Sequence, residues 1–182
     1  MKYLASGLAL ILLATPAMAQ SVGEKTGVNS ALGIGPATAD FVKEAATSDM
    51  FEIQSSQLAQ ERGNASEKTF AATMIKDHTK TSEDLKSMVS SGDVKAELPT
   101  ALDSSKQSEI DKLKSLKGTD FSSRYDDDQV SGHKDAVSLV ERYSKGGDNP
   151  KLKDWAGQTL LTLRHYLDMA QALTAGKTVG SH

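Results

Sequence analysis

Cysteine is absent from the 182-residue chain. Disulfide staples, thiol nucleophiles and thiolate metal ligands are excluded together, so stability has to come from packing. A basic excess is also missing: the formal net charge is -3. No positive field points to a nucleic-acid partner. No segment alternates polar and apolar residues with β-branched enrichment, so neither sheet nor barrel strands are expected. The chain has no Gly-x-Ser-x-Gly elbow and no glycine-rich phosphate loop before a helix, which leaves no case for nucleophilic catalysis or nucleotide binding. Beyond the first residues no apolar run approaches the roughly 20 residues of a membrane span.

The one short apolar run, Leu8 to Ala14, follows Lys2 and precedes Pro16 and Ala17-Met18-Ala19. A positive start, a short apolar core and a small-x-small site make residues 1–19 a secretory signal peptide cleaved before Gln20. The expected location is the periplasm, with no transmembrane anchor after cleavage. The sequence leaves peripheral envelope association, homo-oligomers and protein partners open. About 160 residues remain, enough for one domain with its own core.

Residues 20–38 are rich in Gly, Ser, Thr and Asn and read as a flexible leader. Residues 39–175 have helical period. A first helix is expected from Thr38 or Asp40 to Gln60, and a second, capped by Ser66, to Ser90. A short helix spans Ser104 to Lys117, ended by Gly118. A third long helix runs from Asp120 to Lys145, and a fourth from Asp148 or Asn149, with Pro150 in its first turn, to Ala175. Residues 176–182 read as a frayed tail. Two hairpins joined by one long crossover, which carries a short extra helix, predict an all-α, ferritin-like antiparallel four-helix bundle.

Three polar residues interrupt apolar seams. His78 falls in the stripe of Phe70, Ala71, Met74, Leu85 and Met88, and His133 in that of Tyr125, Val130, Ala136, Val137 and Val140. Glu52 shares a face with Phe41, Ala45, Ser48 and Ala59. Each lies near the middle of its helix, and antiparallel helices of similar length bring their midpoints to one height. Glu52, His78 and His133 are therefore candidate metal ligands. His165, central in the last helix, is the fourth. Its stripe (Leu152, Ala156, Leu160, Leu163, Tyr166, Leu167, Ala170) leaves it on the flank beside Arg164 and Asp168, so spacing does not decide whether it faces the core.

Imidazoles with a carboxylate suit a transition metal ion such as Zn, Fe, Cu or Mn. A Glu–His network that only fixes helix register is the alternative. Gln129, one turn before His133, is a candidate neighbour, and Asp77 is either a supporting partner of the site or a solvated residue. Asp126, Asp127 and Asp128 suit the opening of a helix better than a calcium patch. The di-iron pattern Glu-x-x-His is missing, because Ile75, Val130 and Thr162 stand three residues before the three histidines. A mononuclear site fits better.

The ordered set Phe41-Val42, Ala45-Ala46, Glu52, Phe70-Ala71, Met74-Ile75-Lys76-Asp77-His78, Glu97-Leu98-Pro99, Gly118-Thr119-Asp120-Phe121, Tyr125, Gln129-Val130-Ser131-Gly132-His133, Leu160, Leu163 and His165 resembles the domain-of-unknown-function 4142 family. Those are exported bacterial proteins with a ferritin-like helical domain, often labelled outer-membrane proteins. The resemblance spans about Ala39 to Ala175. It implies the fold, groups His78, His133 and His165 as one set, and matches Glu52 to the family's acidic position. It implies no settled activity. A metal-free structural or interaction module of the envelope stands as the competing expectation, and whether the protein is an enzyme is left open.

Overall fold

A computed structural model describes residues 21–176. The expected signal peptide and most of the tail lie outside them. Among the described residues every regular element is a helix: α1 (Val22–Lys25), α2 (Val28–Ala31), α3 (Thr38–Arg62), α4 (Ala65–Ser90), α5 (Ser104–Ser115), α6 (Gly118–Gly146) and α7 (Pro150–Thr174). None is long and apolar enough to cross a membrane. The long helices form two hairpins, α3 with α4 and α6 with α7. The hairpins meet chiefly through α3 and α6, while α4 and α7 touch much less.

The helix ends follow local chemistry, though not always at the expected residue. Asn64, not Ser66, caps α4: its side chain accepts from the amides of Ser66 and Glu67, and the Glu67 carboxylate returns to the Asn64 amide. This closed capping box satisfies the helix's orphan donors and explains how Glu67 is fully buried. At the start of α3, neither Thr38 nor Asp40 caps. Thr38 Oγ1 instead lies 2.5 Å from the Tyr143 hydroxyl and donates to Asp148 at 2.5 Å, tying α3 to the α6–α7 turn.

Gly118 does not end the short helix, which stops at Ser115 with Leu116 as its cap; at φ 55° it opens α6. Asp126, Asp127 and Asp128 therefore sit well inside α6, too far in for the dipole of its first turn. Asp128 takes Arg124 at 2.8 Å instead. Burial, with Glu67 and Asp127 nearby, raises the Asp126 carboxyl to about 7.

The stretch expected to be a flexible leader carries α1 and α2, and it is anchored. Glu24 and Arg142 of α6 form a buried ion pair at 2.7 Å, and Arg142 also donates to the Ile34 carbonyl at 2.8 Å. Asp40 accepts from the Ser21 amide. Glycine-rich composition pointed to mobility, but a single buried arginine with three acceptor atoms outweighs it.

The core runs the length of the hairpins. Phe41 stacks on Tyr143 with centroids 4.1 Å apart, and Phe121 on Tyr125 at 5.9 Å. Between these two aromatic clusters the interior turns polar, at the height where Glu52, His78 and His133 face inward.

Candidate metal centre

Glu52 on α3, His78 on α4 and His133 on α6 stand close to the midpoints of their helices, and all three are buried, at 1%, 4% and 1% exposure. One ligand atom from each lies within 4.8 Å of the other two. The two imidazole centroids are 5.9 Å apart. Gly132, next to His133, gives Glu52 room: a Cβ there would stand 2.9 Å from Oε1 at the end of that side chain, which would have to shift.

Hydrogen bonds fix which imidazole nitrogens are free. His133 Nδ1 lies 2.8 Å from the Gln129 carbonyl one turn earlier. A carbonyl oxygen only accepts, so Nδ1 carries the proton and neutral His133 presents a bare lone pair at Nε2. His78 Nδ1 likewise donates to Asp49 Oδ1 at 2.7 Å. Asp49 is held in turn by Thr81 Oγ1 at 2.9 Å and Ser82 Oγ at 3.2 Å. His78 Nε2, His133 Nε2 and Glu52 Oε2 are all buried without a hydrogen-bond partner.

With both imidazoles neutral, His78 Nε2, His133 Nε2 and Glu52 Oε2 are three buried acceptors without a donor, whereas buried polar atoms are ordinarily satisfied. A cation resolves the mismatch. A carboxylate or carbonyl behind each ligating imidazole is the usual support of a metal site. The three residues could therefore hold a metal ion, and a three-ligand set leaves at least one coordination position for water or another ligand.

Electrostatics separate the two histidines. Burial opposes a charge on His78, but the Asp49 hydrogen bond and the attraction of Asp49, Glu52 and Asp77 prevail and raise its pKa above 6.5. His133 has no carboxylate partner. Burial lowers its pKa, and Glu52's attraction does not overcome that.

His165 does not join the group. It is exposed on α7, and the neighbouring Tyr166 takes the inward position. The Tyr166 ring lies 5.9 Å from that of His133 and 6.3 Å from that of His78. At about 100° per residue, a helix that turns Tyr166 inward carries His165 off the seam. The flank position in the helical pattern was thus the better guide, and grouping His165 with the inward histidines is corrected.

Three supporting residues went unrecognised or were only candidates in the sequence. Asp49 lies three residues before Glu52, one turn away on the same face, and that spacing was available to find it. Gln129 is fully buried; besides its carbonyl's role, its side chain donates to Ser55 Oγ at 3.2 Å. Asp77 is half-buried and accepts the Tyr166 hydroxyl.

This geometry defines the class first: an all-helical protein with a buried Glu–His–His group between its two hairpins. Over residues 23–173 the chain matches the family described as domain of unknown function (DUF4142), and it belongs to that family. Comparisons with curated proteins and with solved structures find no match.

Proposed function

We propose that this protein is an exported, periplasmic metal-binding protein of ferritin-like bundle type, holding one divalent transition metal through Glu52, His78 and His133. One observation carries the reading: one ligand atom each of Glu52, His78 and His133 lies within 4.8 Å of the others, and the Nδ1 of each imidazole is already committed, which leaves its buried Nε2 without a partner. Two imidazoles and one carboxylate suit Zn, Fe, Mn or Cu, with storage, sensing or an envelope-stress redox step as the roles such a site serves. The long connection between the two hairpins, holding α5, supports the ferritin-like topology. The chain's N-terminal pattern supports export, and N-terminal sequencing of the periplasmic protein should begin at Gln20.

The test is a Co(II) or Zn(II) titration of untagged, metal-free protein, read by elemental analysis and calorimetry. One equivalent is expected to bind. Asp49→Asn, which touches no metal, should weaken affinity by about 10–100-fold through loss of orientation and basicity at His78. The competing reading, a metal-free interaction module, is favoured by the exposed Val22, Val28, Leu32 and Ile34 of the N-terminal segment. Absence of stoichiometric metal binding would select it.

A further inference from the structure

On one flank of the buried group, a cavity of about 340 Å³ opens among α3, α4, α6 and α7. That volume falls within the range of small-molecule sites, which are mostly apolar with a few placed polar groups. Trp155, Leu139, Val140 and Leu163 supply apolar wall, and His78 and Tyr166 also line the cavity. Its charged lining is one-sided. Asp49, Asp77 and Asp84 face it against a single lysine, Lys80, which is already paired with Asp84 at 2.7 Å. Asp49 is committed to His78, Thr81 and Ser82, and Asp77 accepts from Tyr166. Neither arginine nor a second lysine lines the cavity to receive an anion.

We infer that this cavity is a binding site for a small aromatic amine, its ring against Trp155 and Leu163 and its ammonium group toward the Asp77 and Asp84 side. An aromatic face and carboxylates together favour a cation with an apolar body, and the same carboxylates repel a ligand acid. The site does not require the metal reading, since the cavity is formed by side chains that are in place without a metal. It would place the amine beside His78, next to the proposed metal.

Trp155 is the chain's one tryptophan and lines this cavity, so its fluorescence, excited at wavelengths where tyrosine does not absorb, reads binding here. Metal-free, full-length protein is titrated with phenethylamine and, separately, with phenylacetate of matching ring and chain. Phenethylamine should give a saturable change, with phenylacetate weaker by at least about tenfold, a difference of about 1.4 kcal/mol. Asp84→Asn should narrow that ratio without altering the fold, because Asp84 is a surface partner of Lys80. Thr159→Phe, which fills the cavity from α7, should abolish the response, with circular dichroism checking that helix content is kept. No saturable response to phenethylamine, equal affinity for the acid, or a ratio unmoved by Asp84→Asn would each overturn the proposal. Zinc binding is measured on the same samples. Loss of the amine response with zinc binding intact sinks this inference alone, and the reverse sinks only the metal reading.

Discussion

Zinc at a thousandfold its dissociation constant should raise the melting temperature of the metal-free protein by about 8–16 °C. The figure follows from linkage: a ligand at that excess adds about 4.1 kcal/mol to the folded state. A domain of this size gains about 2–4 °C per kcal/mol. His133→Ala should remove nearly all of the rise, because its Nε2 lone pair has no substitute within reach. His78→Ala should do the same and also leave Asp49 with only Thr81 and Ser82 as partners. His165→Ala should keep the full rise, since His165 is exposed and outside the group. Tyr166→Phe should keep it too, because Tyr166 touches both imidazoles by its ring and sends its hydroxyl to Asp77. Differential scanning calorimetry on the four variants, with and without zinc, reads all of this. A rise that survives His133→Ala would place the metal elsewhere.

The same rise should shrink as pH falls, and the direction follows from the two imidazoles. Metal and proton compete for each Nε2. His78, whose pKa is lifted by Asp49 despite burial, takes up its proton first, from above pH 6.5 downward. His133, lowered by burial, yields to the proton only at more acidic pH. Metal stabilisation is therefore complete above the His78 titration and declines below it by about 1.4 kcal/mol per pH unit.

The helices were legible because each carries its own signals. Of the two expected caps, Asp148 and Asn149, it is Asn149 that starts α7 before Pro150, and the seam of α4 is buried at Phe70, Ala71, Met74, Leu85 and Met88. Caps were less legible, since Asn64 and Ser66 are both good N-cap residues and only Glu67's position in the box decides between them. The anchored N-terminal segment was hidden for a different reason. Its contact, Glu24 with Arg142, joins residues far apart in sequence and has no local pattern.

The site was legible wherever a polar residue broke an apolar stripe. His78 and His133 did so, and helix midpoints brought Glu52 to their height. What the pattern could not supply was the hydrogen bonding around them. Asp49 looks like an ordinary surface carboxylate until the packing of α3 on α4 sets it against His78, and Gln129 serves His133 through a backbone carbonyl, which no side-chain pattern reports. Family resemblance pulled the other way for His165, where helical phase alone had already left it outside the seam.

Glu52→Met should stabilise the metal-free protein while abolishing its metal binding. The Glu52 carboxylate is 1% exposed, and its Oε2 has no hydrogen-bond partner. A buried unsatisfied acceptor costs about 1–3 kcal/mol, and more when charged. Met has a similar length and no polar atom, and its flexible thioether fills irregular space. The gain should be about 1–3 kcal/mol. At about 2–4 °C per kcal/mol it appears as a rise of about 2–12 °C in metal-free buffer. Gly132 supports this sign, because a glycine inside a helix costs roughly 0.5–1 kcal/mol relative to Ala, yet a Cβ there would press on Glu52 Oε1 at 2.9 Å. Two destabilising choices, an orphaned carboxylate and the glycine that admits it, coincide at the height of the two imidazoles. Local rule-breaking of this kind is expected where function, rather than folding, sets the residue. Thermal melts in chelator, paired with the zinc titration, check both halves of the prediction. A Glu52→Met protein that melts below its parent without metal would mean that the carboxylate holds the two histidines as a structural network, and the metal reading would lose its main support.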